Sequence, residues 1–157
     1  MKERDGDFML TPASHVRPAP HARRWYTLAS WLVVLLGLLH NGAFVSGFLL
    51  DAVRRQSSPV FQSMQEYKIN LFGTHSLLKF YEGFSLTMGC LLILLGVLNL
   101  IVSRSLPLPA LRSAALFNAV ACLLLTGLSL VYFHVLATSL FVLALAGYAV
   151  CYVRSAP

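Results

Sequence analysis

Three ionisable side chains stand close together where a long apolar stretch of the chain begins: His75, Lys79 and Glu82. On a helix, spacings of four and then three residues place side chains on one face. Ionisable groups inside a membrane-spanning helix are costly and mark candidate functional sites. An imidazole near a carboxylate suits proton exchange, a metal or a polar ligand headgroup. We therefore take these residues and the adjacent Tyr81 as candidates for a ligand or proton site.

A further candidate, His40, lies late in the preceding apolar stretch. Two consecutive spans share the connection between them, and the helical rise places His40 and Glu82 at comparable depth. We expect the two side chains to face each other between the first two spans. A purely structural role stays open, because Lys79 can reach the membrane surface or pair with Glu82, and His40 can hydrogen-bond a neighbouring helix. A metal or haem site is the third alternative.

Motifs of ordinary enzymes are missing from the sequence. It contains no serine-centred nucleophile, phosphate-binding glycine loop, carboxylate pair or dense set of metal ligands. The three cysteines, Cys90, Cys122 and Cys151, are far apart and are interpreted as small packing residues. We predict no catalytic residue and no metal ligand, name no cofactor, and favour a protein that is not an enzyme.

Composition defines the class of protein that must position these groups. Hydrophobic residues make up 57% of the 157 residues and charged residues 11%, against roughly 25% charged in soluble domains. The chain is therefore a membrane protein with a single small domain. Its net charge is +6, and most of its basic residues flank the apolar stretches, where they set orientation and contact anionic lipid. Membrane lipid is the predicted partner, with another membrane protein or a second copy as alternatives, and nucleic acid is not.

The apolar stretches are long enough to cross a hydrocarbon core of about 30 Å. They predict an all-α fold, a polytopic bundle of four transmembrane helices at about 26–50, 76–102, 110–131 and 135–153. The last two come from one apolar block that must fold back, and Tyr132-Phe133-His134 is the best place for the turn. Residues 1–24 predict a disordered basic tail, and residues 25–157 the membrane domain.

A polar connection separates the first two spans. Ser58 and Pro59 are a typical helix start, and apolar residues then follow at helical spacing. We predict a short amphipathic helix on the outer membrane surface that ends near Gly73.

Small residues predict where the helices approach each other closely, because lipid provides no hydrophobic drive for helix association. The predicted contact residues are Gly42, Ala43, Ser46, Gly47, Ser85, Gly89, Gly96, Ala115, Ala119, Gly127, Ala144 and Gly147. Asn99 and Asn118 are expected to hydrogen-bond across helices. The distribution of Lys and Arg predicts that both termini are cytoplasmic.

One part of the chain resembles a known group of proteins. The residues that carry the resemblance are His40, Met64, Phe72-Gly73, Ser76 and the motif Phe80-Tyr81-x-Gly83-Phe84-x-Leu86. They resemble a family of small bacterial four-span inner-membrane proteins of uncharacterised function, in which a basic residue often stands where this chain has Glu82. The resemblance covers the first two spans and implies a multi-pass protein of the bacterial cytoplasmic membrane. In size and span count the chain is also similar to DoxX-like proteins.

Two functional hypotheses follow. The first is a non-catalytic accessory or lipid-interacting four-helix membrane protein. The alternative is a redox or ligand-handling protein that binds a quinone, a lipid or haem between spans 1 and 2.

Overall fold

The computed structural model describes residues 20–50, 58–70 and 73–156. The helices in those residues are α1 (Pro20–Leu50), α2 (Pro59–Glu66), α3 (Leu77–Ser105), α4 (Leu108–Tyr132) and α5 (Val135–Arg154). Four of them, α1, α3, α4 and α5, are long and apolar enough to cross a membrane. The predicted all-α, four-transmembrane-helix bundle with a short helix between spans 1 and 2 is confirmed.

Helix α1 begins earlier than the sequence predicted. It starts at Pro20, so residues 20–24 of the predicted disordered tail are helical. Proline is well tolerated in the first turn of a helix. Packing explains the extension, because Ala22 and Tyr26 are both completely buried. The remainder of the predicted tail, residues 1–19, lies outside the described residues.

The turn between α4 and α5 lies where it was predicted. Phe133 and His134 separate the two helices. The backbone N–H of Phe133 donates to the Ser129 carbonyl at 2.9 Å and closes α4, while the His134 carbonyl accepts from Ala137 N–H at 3.1 Å and opens α5. The apolar block therefore folds back into two antiparallel spans, and His134 serves as a turn residue.

The connection between α1 and α3 differs from its prediction beyond Glu66. Helix α2 follows Ser58 as expected, but it ends at Glu66 rather than near Gly73. A small antiparallel hairpin follows, formed by β1 (Lys68–Asn70) and β2 (Thr74–Ser76), with Ile69 opposite His75. Gly73 has a φ of 137°, which glycine adopts without strain, and so serves the hairpin.

Helix α1 is the centre of the packing. It packs closely against α3 on one side and α5 on the other, and α5 packs against α4. Glycines make these contacts close: a Cβ at Gly37 would lie 2.7 Å from the Gly89 carbonyl oxygen, and one at Gly147 would lie 2.9 Å from the Cβ of Ala29. The outward faces of the spans carry exposed leucine, valine and phenylalanine side chains.

The predicted packing glycines are only partly correct. Gly89, Gly96 and Gly147 do lie at close helix contacts, whereas a Cβ at Gly42 or Gly127 would meet no atom of a described residue within 4 Å. Ala43 and Ser46 are exposed as well, so three of the four residues of the predicted motifs at the end of α1 do not lie at a close helix contact. The glycine of α1 that does meet α3 is Gly37, one and a half turns earlier.

Candidate functional site

His40 contacts α3 close to the level at which the sequence placed it. Its Nε2 atom lies 3.1 Å from both the backbone oxygen and the Oγ of Ser85. An imidazole protonated at Nε2 donates to that carbonyl, while the serine hydroxyl can take either role. His40 is half-buried, so this polar pair lies between α1 and α3.

Glu82 precedes Ser85 by three residues. At 3.6 residues per turn the two side chains are about 60° apart on α3, so Glu82 lies beside the face that meets α1. Its side chain is half-buried. The contact between His40 and Glu82 stays a prediction, while the contact between His40 and Ser85 is observed.

Two more polar residues join His40 and Ser85. The Asn41 amide lies directly against Gly89 and donates from Nδ2 to the Sγ of Cys90 at 3.5 Å. Among the described residues, Asn41 Oδ1 is buried and has no hydrogen-bond partner. We call His40, Asn41, Ser85 and Cys90 the α1–α3 polar cluster. Asn41 and Cys90 were not predicted from the sequence as polar neighbours of His40, although Asn41 is adjacent to it in the chain.

A groove lies on a different side of α3. It has a volume of about 380 Å³ and is lined by His75, Lys79, Phe80, Gly83, Phe84 and Thr87. Gly83 and Thr87 each stand two residues from Ser85, which places them about 160° away around the helix. The groove, here called the α3 groove, therefore opens away from α1.

The residues that the sequence predicted to form one site therefore lie at two separate places around α3. His75 is not on the helix, because it belongs to β2 and α3 begins at Leu77. The hairpin nevertheless brings it to the same groove as Lys79. Glu82 and Tyr81 are not among the groove-lining residues, and Tyr81 is exposed. His40 contacts the opposite face of α3.

The interior of the bundle holds a hydrogen-bond network that joins three spans. Tyr26 OH of α1 donates to Asn99 Oδ1 of α3 at 2.7 Å, and Asn118 Nδ2 of α4 donates to Tyr26 OH at 3.1 Å. Asn99 Nδ2 in turn donates to Asn118 Oδ1 at 3.0 Å. The predicted hydrogen bonding of the two asparagines across helices is confirmed, whereas the part played by Tyr26 was not predicted.

The fourth span joins this interior through a second tyrosine. Tyr148 of α5 lies with its hydroxyl 3.2 Å from Ser30 Oγ, and its ring packs edge-on against Tyr26 with centroids 5.1 Å apart. Ser30 Oγ also donates to the Tyr26 carbonyl at 2.8 Å. The polar interior therefore connects all four spans near the end of the bundle where α1 begins.

Arginines stabilise that same end of the bundle. The Arg23 guanidinium donates to the carbonyl oxygens of Ser103 and, at 2.9 Å, Leu106, where α3 ends. Cations near a helix C-terminus are favoured by the helix dipole. Arg112 lies over the ring of Tyr152 with its guanidinium carbon 4.7 Å from the ring centroid. These contacts tie α1 to α3 and α4 to α5.

The fold and these sites define a class: a polytopic four-helix membrane protein with a hydrogen-bonded polar network that joins its spans. Within residues 20–50, 58–70 and 73–156, no three His, Cys, Asp or Glu side chains come together as a metal-binding group. Comparison with family models, with curated proteins and with solved structures finds no match.

Proposed function

We propose that the chain is a non-catalytic accessory or lipid-interacting protein of the bacterial cytoplasmic membrane, related to the small four-span family that its sequence resembles. The observation that supports this proposal is the pairing of its interior. Within the part of the chain that the structure describes, each of the fully buried polar residues takes part in a hydrogen bond, and they are Ser30, Ser76, Asn99, Ser103, Asn118, Thr126 and Ser129. Polar groups that are already paired stabilise the bundle and leave little for catalysis.

Purification of the full chain in a mild detergent tests this function. We expect the protein to retain phospholipid or to carry a partner membrane protein, because lipid and accessory contacts are its proposed role. Native mass spectrometry and lipid analysis of the purified sample provide the measurement. A lone monomer without any retained lipid or protein would contradict the proposal.

A second candidate function rests on the α1–α3 polar cluster. The imidazole of His40 and the buried Asn41 Oδ1 atom favour a ligand such as a quinone, a lipid or haem between spans 1 and 2. The same purified sample distinguishes the two functions. A haem absorbance spectrum or a quinone in the organic extract would favour the second candidate over the first.

The proposed orientation places both termini of the four-span chain in the cytoplasm. The end where α1 begins carries most of the described basic residues, namely Arg23, Arg24, Arg104, Arg112 and Arg154, while Lys68 and Lys79 lie at the other end. Basic residues accumulate on the cytoplasmic side of multi-pass proteins. This distribution supports cytoplasmic termini.

Cysteine labelling in intact cells checks the orientation. In a background in which Cys90, Cys122 and Cys151 are replaced, we expect Ser57→Cys to react with an impermeant maleimide and Ser105→Cys to react only after the cells are opened. Labelling of the second variant but not the first from outside would show that the orientation is reversed.

A further inference from the structure

The α3 groove changes in polarity along its length. His75 and Lys79 lie at the end where the hairpin meets α3, and Thr87 lies eight residues beyond Lys79, which is about 12 Å along a helix. Between them the walls are the rings of Phe80 and Phe84, which are 53% and 62% exposed. The groove is thus basic at the hairpin end and apolar along the span.

The depth of the groove comes from Gly83. A Cβ built on this glycine would meet nothing within 4 Å, so the groove floor is open where the two rings flank it. A methyl group at position 83 would enter that space without meeting a described residue. Within the part of the chain that the structure describes, Gly83 therefore shapes the groove and is not a close helix contact.

The basic end of the groove is held in place by the hairpin. The backbone carbonyl oxygen of Tyr67 accepts a hydrogen bond from the backbone N–H of Leu77 at 2.9 Å, and Ser76 Oγ accepts one from the backbone N–H of Lys79 at 3.3 Å. A Cβ at Gly73 would lie 3.3 Å from Nε2 of His75, so the glycine allows the turn to pass close to the imidazole. Because the backbone N–H of Lys79 is already bonded, its ammonium group is the donor that Lys79 offers to a ligand.

From this geometry we infer that the α3 groove binds an anionic phospholipid. The phosphate of the headgroup is bound by the Lys79 ammonium and the His75 imidazole, and an acyl chain lies along Gly83 between Phe80 and Phe84. The groove opens away from α1, where lipid surrounds the bundle, and its charge is complementary to a phosphate. The inference rests on the proposed lipid-interacting function and adds to it the class of lipid and the residues that bind it.

Native mass spectrometry of the full chain, titrated with phosphatidylglycerol or phosphatidylcholine, tests the inference. We expect phosphatidylglycerol to bind more tightly, and Lys79→Gln to weaken that binding roughly fivefold, because a lysine near an anionic membrane surface contributes that much attraction. The matched control is Lys68→Gln, an exposed lysine of β1 outside the groove. An equal loss of phosphatidylglycerol binding in the two variants would show that binding depends only on general surface charge, and it would overturn the assignment.

A second variant tests the apolar part of the groove. Gly83→Leu fills the floor and is expected to weaken phosphatidylglycerol binding at least as much as Lys79→Gln, with an unfolding temperature that does not fall, because leucine is the better helix former. Gly127→Leu on α4 is the control, because its Cβ also has open space. Unchanged binding by Gly83→Leu, or displacement of the lipid by millimolar inorganic phosphate, would exclude a seated phospholipid.

The outcomes also separate this inference from the proposed function. Wild-type protein that retains lipid, with binding indifferent to both variants, would refute the groove alone. Wild-type protein that binds neither lipid would refute the groove and the lipid-interacting function together.

Discussion

Gly96→Ala is expected to lower the free energy of unfolding by about 1–3 kcal/mol, although alanine is the better helix former. A Cβ at position 96 would lie 2.8 Å from the backbone nitrogen of Val34 and 3.0 Å from the carbonyl oxygen of Ser30. Both atoms belong to the backbone of α1, so neither can move aside as a flexible side chain would. Relief requires α1 and α3 to separate along their contact.

Unfolding of the purified protein in mixed detergent micelles measures this loss. The matched control is Gly127→Ala in α4, where the new methyl group meets nothing within 4 Å. There the gain in helix propensity is unopposed, and we expect no loss and a stabilisation of up to about 1 kcal/mol. If the two variants changed stability in the same direction by similar amounts, the close contact between α1 and α3 would be wrong.

Asn118→Ala is expected to cost about 2 kcal/mol. The Asn118 side chain makes hydrogen bonds to Tyr26 OH and to both ends of the Asn99 amide, all of them across helices. Interhelical hydrogen bonds in membranes contribute about 0.6 kcal/mol on average, and three of them account for the expected loss. The substitution also removes the acceptor of the Asn99 Nδ2 group in the interior of the bundle.

The control for Asn118 is another buried polar residue of α4. Thr126 donates only to the carbonyl of Cys122 in its own helix, at 2.7 Å. Thr126→Val keeps the shape and is expected to change stability little. A double-mutant cycle with Tyr26→Phe provides a second measurement. Residues in one hydrogen-bond network usually show an interaction energy of roughly 0.5 kcal/mol or more in such a cycle. Additive effects of Asn118→Ala and Tyr26→Phe would show that the network does not bind the spans together.

Much of the fold follows from local features of the sequence. The number of spans depends only on the length of apolar stretches, and the turn at Phe133 and His134 follows because the block after Leu108 is too long for one crossing. The start of α2 follows from Ser58 and Pro59. The pairing of Asn99 with Asn118 was predictable because an amide inside a span needs a partner, and these spans have few.

The rotation of each helix did not follow from the sequence. Apolar residues surround each span on all sides, so periodicity does not indicate which face of α3 meets α1. That rotation decides that Ser85 contacts His40 while Lys79 and Gly83 lie at the groove. It also decides that Gly37 rather than Gly42 contacts α3. The prediction that His75 shares a helix face with Lys79 was wrong for a different reason. The hairpin at Gly73 ends just before α3, so His75 lies in a strand and not in a helix.

The central position of α1 has a consequence for synthesis of the protein. Spans enter the membrane in the order in which they leave the ribosome, and helices associate after they are inserted. The first span can pair with α3 early, but its second neighbour is α5, the last of the four to emerge. Until then, Ser30 lacks its contact with Tyr148 and this side of α1 faces lipid. The bundle therefore becomes complete only when its final span is inserted. In a nascent chain interrupted after α4, α1 packs against α3 on one side and faces lipid on the other.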